Sequence, residues 1–162
     1  QTLLNCTEAE AEEAVRIYRE RFGTIGLLEN DVFEGVPEML EAQSAADKRL
    51  FIASTKPHVY IHPILEHFDL KNWFERIYGS ELDGTRAVKT DLLHYIFAEL
   101  DLDPEITVMI GDRVHDMAAA KAVGVTSIWV DYGYGDEAER DAAKPDHICS
   151  SIAELAALLN EI

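Results

Sequence analysis

Two aspartates four residues apart, Asp112 and Asp116, sit where a short apolar run ends and a helix begins. The run Val108-Met109-Ile110 stops at Gly111-Asp112, and Met117-Ala118-Ala119-Ala120-Lys121-Ala122 follows with high helix propensity. Asp112 therefore falls at the carboxyl end of a buried strand and Asp116 at the start of a helix. In an open parallel sheet that edge is where ligands bind. Two carboxylates there suit a hard cation such as Mg²⁺, which takes oxygen ligands and keeps several waters. The same residues could instead be a loop carboxylate and a helix cap. Ser54 and Thr55 close another apolar run, Leu50–Ala53. A hydroxyl at such a strand end can donate to a phosphoryl oxygen, although a structural turn uses the same residues. Lys89 opens the helix carrying Leu92, Leu93, Ile96, Phe97 and Leu100. A lysine there opposes the helix dipole, a local misfit that points to a role in neutralising developing charge.

The elements that position these residues alternate. Strands are expected at Arg49–Ala53, Phe74–Tyr78, Thr107–Ile110, Thr126–Val130 and His147–Cys149, with helices between them. Alternation of this kind gives an α/β fold: a parallel sheet, right-handed crossovers and helices on both faces. The chain opens with Thr7-Glu8-Ala9-Glu10, a capping box, followed by an amphipathic helix through Phe22 that needs a partner face. Pro63 lies inside the helix after Pro57, and a kink or a late helix start near His62 is expected there. His58, His62 and His67 read as surface side chains without metal spacing. Tyr132-Gly133-Tyr134-Gly135 reads as a flexible loop at the ligand edge.

Composition sets the limits. With 162 residues, 48% apolar and 9% aromatic, the chain can bury one core. A formal charge of −17, from 31 acidic and 14 basic residues, argues against nucleic-acid binding, which needs a basic footprint. Substrate anions must then be drawn by local positive charge and metal. No run of 18 apolar residues is present to span a membrane. Cys6 and Cys149 are far apart and read as reduced, structural thiols, in keeping with a cytoplasmic location. The start, Gln1-Thr2-Leu3-Leu4-Asn5, has neither an initiator Met nor a signal pattern, which suggests a truncated chain.

Gly111-Asp112-Arg113-Val114-His115-Asp116 resembles the fourth motif of the haloacid dehalogenase-like hydrolases. Leu50-Phe51-Ile52-Ala53-Ser54-Thr55-Lys56-Pro57 is similar to their second motif, and Lys89 within Arg86–Asp91 to their third. Asp131-Tyr132-Gly133-Tyr134-Gly135 resembles the loop after the last core strand in the phosphoglycolate phosphatase and 5′-nucleotidase branch. The resemblance runs from about Thr7 to the end. It implies a Rossmann-like core at residues 31–162, preceded by the last part of a helical cap at residues 1–30. It further implies a Mg²⁺-dependent phosphatase of small phosphomonoesters, phosphoglycolate- or nucleotide-like, working through an aspartyl-phosphate. Asp112 would bind Mg²⁺, with Asp116 holding the site. Ser54 and Thr55 would bind the phosphoryl oxygens, and Lys89 would balance charge.

The family's first motif, a strand ending in Asp-x-Asp-Gly-Thr, is absent from these residues. Glu81-Leu82-Asp83-Gly84-Thr85 mimics it, with Glu in the nucleophile's place. The resemblance implies a strand order of five-four-one-two-three, with the absent strand central. Strands lie about 4.8 Å apart, so its loss leaves a gap of roughly 10 Å between Leu50–Ala53 and Val108–Ile110. These residues alone are therefore expected to be inactive and not to form the native sheet. A strand from another segment, or from a partner chain such as a second copy in a homodimer, would complete it. Direct pairing of the two flanking strands is the last-ranked option. The alternative reading of function is a non-catalytic fragment or pseudo-enzyme that binds a phosphorylated ligand or a partner chain.

Overall fold

The computed structural model describes residues 6–162; the reading made on Gln1–Asn5 lies outside them. Helix α1, Glu8–Phe22, opens on the expected capping box: Thr7 N donates to Glu10 Oε2 at 2.8 Å and Glu10 N to Thr7 Oγ1 at 3.4 Å. Its apolar face has no partner among the described residues. None of its residues is buried, and Val15, Ile17 and Tyr18 are exposed. Only its end is held. Phe22 meets the edge of the Tyr60 ring at 5.2 Å, and Lys56 Nζ lies 4.6 Å above the Phe22 ring. The chain then turns through Gly26–Leu28 into α2, Val36–Ala45.

Strand β1, Phe51–Pro57, pairs in parallel with β2, Arg76–Ser80, through Phe51–Arg76, Ile52–Ile77 and Ala53–Tyr78. Both strands run further than their sequences suggest. β1 continues through Ser54 and Thr55, with a register break between Ala53 and Pro57, because Ser80 Oγ donates to Thr55 O at 2.8 Å and holds the chain extended. β2 starts two residues late because Phe74 N closes the short helical turn Lys71–Trp73.

Helix α3, His58–His67, runs through Pro63, so of the two expectations, a kink or a late start near His62, the late start is not met. The proline removes one hydrogen bond and costs about 3 kcal/mol in a helix interior. Burial of Ile61 and Leu65, about 1.5–3 kcal/mol each, offsets that cost. Helix α4, Lys89–Leu100, follows, buried along Leu92, Leu93 and Ile96. Then come β3, Val108–Gly111; α5, Val114–Val123; β4, Thr126–Val130; α6, Glu137–Ala143; β5, His147–Cys149; and α7, Ile152–Glu161.

Among the described residues all ladders are parallel. They form two pieces, β1-β2 and β3-β4-β5, and β1 does not pair with β3. The facing strands show the consequence. Every residue of β1 and of β3 is only half-buried, whereas Ser127–Val130 in β4 are buried. One apolar cluster bridges the halves, joining Ala53 and Tyr78 to Met109 through Leu92, Leu93 and Ile96 of α4 and Ala119 of α5. A second cluster lies on the other face, where Leu155 and Leu159 of α7 pack on Ile128 and Val130 beside Met39 of α2. Helices thus cover both faces. Among the described residues, no helix is long and apolar enough to cross a membrane.

Candidate active site

The motif residues gather at the carboxyl ends of β1 and β3. Lys89, the first residue of α4, is buried. Its Nζ donates to Ala53 O at 2.5 Å and lies 2.9 Å from Asp116 Oδ1. Both side chains of the ion pair are 7% exposed. Asp116 Oδ2 in turn accepts from Arg113 N at 3.2 Å, which caps the first turn of α5. Gly111 makes room for this carboxylate: a Cβ there would lie 2.4 Å from that of Asp116. Three separate stretches, β1 at Ala53, the start of α4 and the first turn of α5, are therefore joined at one ammonium group.

Asp112 is held from the other side. Its Oδ2 accepts from Tyr134 N at 2.6 Å. A Cβ on Gly133 would fall 2.2 Å from Asp112 Cβ, so only glycine lets the loop close on the carboxylate. The Tyr132–Gly135 loop thus closes on Asp112 through its backbone. Tyr132 packs edge-on to Phe33 at 5.3 Å, and burial pushes its phenol up to about 12. Tyr134 projects its ring into solvent, 90% exposed.

Ser54 and Thr55 lie directly after the carbonyl that Lys89 grips. Ser54 Oγ accepts from Lys56 N at 3.1 Å, a local turn that leaves the hydroxyl proton free. The structure thus joins Lys89 to Asp116 directly and to β1 at Ala53. Asp112 stands on the β3–α5 connection with the pair. Glu81–Thr85 lies elsewhere, in an exposed turn closed by Glu81 N to Thr85 O at 2.8 Å and Thr85 N to Asp83 Oδ1 at 2.9 Å.

Some supporting contacts have no sequence signal. Glu139 of α6 accepts from Val114 N at 2.7 Å and from Arg113 Nε at 3.0 Å, fixing the start of α5 across 25 residues of chain. The Val114 amide first, then the Arg113 guanidinium, hold its carboxyl below the usual range. Lys56, half-buried, has no carboxylate within salt-bridge reach among the described residues, and burial lowers its pKa.

The donor set near Asp112 suits a hard cation. Its carboxylate is half-buried and accepts one protein hydrogen bond among the described residues, leaving oxygen lone pairs for coordination. Among those residues there is no group of three or more His, Cys, Asp or Glu side chains able to enclose a metal. Mg²⁺ fits this sparse set better than a fully caged ion, since one or two carboxylates with water and phosphate satisfy it.

Comparison with known proteins places these motifs. The model of the haloacid dehalogenase-like hydrolase family matches residues 2–130. A 5′-nucleotidase of Pseudomonas aeruginosa is 46% identical over 152 residues, covering 94% of this chain and 69% of its own length. The tyrosine-protein kinase PtkA of Mycobacterium tuberculosis is 38% identical, covering 77% of this chain and 43% of itself. The phosphoglycolate phosphatase of Escherichia coli is 30% identical, covering 90% and 59%. The crystal structure of a predicted phosphatase from Clostridium acetobutylicum superposes with a TM-score of 0.92 at 34% identity, over 99% of this chain and 74% of that one. The split sheet, the Lys89–Asp116 pair and the clamped Asp112 accordingly lie within a protein that belongs to the haloacid dehalogenase-like hydrolase family.

Proposed function

We propose that the protein is a Mg²⁺-dependent phosphatase of small phosphomonoesters, nucleotide- or phosphoglycolate-like, acting through an aspartyl-phosphate. Membership of a hydrolase family with phosphatase relatives supports the class, phosphoric monoester hydrolase. The observation that carries the reading is Lys89. Its ammonium, 7% exposed, donates to Ala53 O and stands 2.9 Å from Asp116 Oδ1 as an ion pair, so a positive charge is fixed where β1 and α5 meet. Ala53, whose carbonyl it grips, directly precedes Ser54.

Phosphoryl transfer is dominated by positioning and electrostatic stabilisation. Ser54 Oγ–H would donate to one phosphoryl oxygen, with Thr55 beside it. Lys89 would balance the charge that grows on the others. Asp112 would hold Mg²⁺, which supplies charge neutralisation on the phosphate when bound. Asp116 would fix Lys89 in place. The nucleophilic carboxylate would stand between β1 and β3, on a strand supplied by another segment or another chain. Its oxygen would attack phosphorus as the phosphorus–ester oxygen bond breaks, the ester oxygen leaving with a proton from a second, protonated carboxyl group on that strand, and water would then hydrolyse the aspartyl-phosphate to free phosphate. Such a strand would also satisfy the free edges of β1 and β3. The substrate is then a small phosphorylated metabolite rather than a nucleic acid, which a chain of charge −17 would repel.

The test is phosphate release from p-nitrophenyl phosphate by the intact protein, with and without Mg²⁺. Turnover should require the metal and should fall about 10²–10³-fold in Lys89→Met and in Asp112→Asn. A folded, intact protein that releases no phosphate would remove the reading. So would activity indifferent to both substitutions.

A further inference from the structure

The phosphoryl chemistry makes no use of two histidines on the first turns of α3. His58 and His62 are both half-buried and share one face of the helix. Their rings lie 4.5 Å apart between centroids at 61°, and the two Nε2 atoms are 3.1 Å apart. We propose that His58 and His62 form a binding site for a first-row transition-metal ion such as Zn²⁺, Ni²⁺ or Cu²⁺, separate from the carboxylate site at Asp112.

Geometry and donor chemistry carry this. Histidines four residues apart on a helix fall on one face, the spacing through which two imidazoles share a metal. With metal–nitrogen bonds of about 2.0–2.1 Å, two ligands at a tetrahedral angle sit about 3.3 Å apart, and at a right angle about 2.9 Å apart. The observed 3.1 Å lies between these. The pair needs no backbone movement to chelate. It needs only that both protons reside on Nδ1, a tautomer shift that releases no net proton from neutral rings. His62 is favoured in its neutral, ligating form: burial first, then the charges of His58 and Lys71, lower its pKa. Imidazole nitrogen suits borderline metals, whereas Mg²⁺ prefers oxygen.

The neighbours define the rest of the shell. Glu66, one turn beyond His62, is paired with Lys71 at 2.6 Å. His67 packs against Phe68, with ring centroids 4.8 Å apart. With no third His, Cys, Asp or Glu in reach among the described residues, water fills the remaining positions. The site would staple α3 across the turn preceding Pro63, where the helix lacks one N–H donor.

Titration of the intact protein with Ni²⁺ and Cu²⁺, followed by calorimetry and by electron paramagnetic resonance of the Cu²⁺ form, tests the site. The proposal expects a Cu²⁺ spectrum showing two coordinated nitrogens. It also expects at least tenfold weaker binding in His58→Gln and in His62→Gln, with no change in His67→Gln. Circular dichroism reports whether each variant keeps its helices. Should either fail to fold, the nitrogen count in the unaltered protein decides alone. Equal affinity in folded His62→Gln, or a spectrum with fewer than two nitrogens, would overturn the site. The readout is binding, so it is independent of whether the protein hydrolyses phosphate.

Discussion

Lys89 and Asp116 form a buried ion pair, Nζ to Oδ1 2.9 Å, each side chain 7% exposed. Desolvating two charges is costly, and a pair in a low-dielectric setting repays this only when extra hydrogen bonds satisfy its remaining groups. Here Ala53 O and Arg113 N supply them. Removing one partner strands the other charge. Lys89→Met and Asp116→Asn should therefore each lower stability by about 3–5 kcal/mol, while Lys89→Met with Asp116→Leu should lose much less than the sum. Urea unfolding of the two single variants and the double variant measures the coupling. Additive losses would show that the two side chains do not act as one unit.

Gly133 holds Asp112 by leaving space rather than by a bond. A Cβ there would lie 2.2 Å from Asp112 Cβ and 2.4 Å from Oδ2, so Gly133→Ala must push the carboxylate or the loop away. The Tyr134 N to Asp112 Oδ2 bond would be lost with it. Contacts that orient a metal-binding carboxylate are worth about 10–100-fold in metal affinity or activity. The expected result is a rise of that order in the Mg²⁺ concentration needed for half-maximal turnover. The change should be confined to the site, since Gly133 lies outside the apolar clusters. A Mg²⁺ requirement equal to that of the unaltered protein would show that the clamp has no bearing on the metal.

The alternation of strands and helices was legible because apolar runs and caps are local signals. Thr7–Glu10 and Asp112–Asp116 announce their helix starts within a few residues. The open edges of β1 and β3 followed from the family's strand order rather than from any residue. What stayed hidden depends on contacts across the chain. Ser80, 25 residues on, extends β1 beyond Ser54, and Glu139 fixes the start of α5 with no local trace of doing so. The start of α3 at His58 rather than near His62 was hidden because a proline is weighed locally, while Ile61 and Leu65 act by tertiary burial. His58 and His62 read as surface side chains without metal spacing; only the ring geometry, with the two Nε2 atoms 3.1 Å apart, brings them together.

Asp146 and Ser127 tie the start of β5 to β4 and should give stability a pH dependence. Ser127 Oγ and Ser127 N both donate to Asp146 Oδ2, at 2.6 and 2.8 Å, and Asp146 N donates back to Ser127 Oγ at 3.0 Å. The serine hydroxyl first, then its amide, hold the aspartate below its ordinary value of 3.8. A carboxylate with a depressed folded-state pKa contributes stability that is fully present above the unfolded value. That contribution is lost as pH falls through the folded one. Ser127 is buried, so Ser127→Ala leaves Asp146 N without its acceptor and should cost about 1–3 kcal/mol at pH 7. Asp146 itself is exposed, so solvent screens part of the charge effect. The gap between the two proteins should begin to narrow as pH drops below 3.8 and go on narrowing as pH falls through the lower folded-state value. Thermal unfolding at pH 7 and at successively lower pH, on both proteins, gives the two curves. A gap that stays constant through that range would mean that the hydroxyl contributes by packing, not by stabilising the carboxylate.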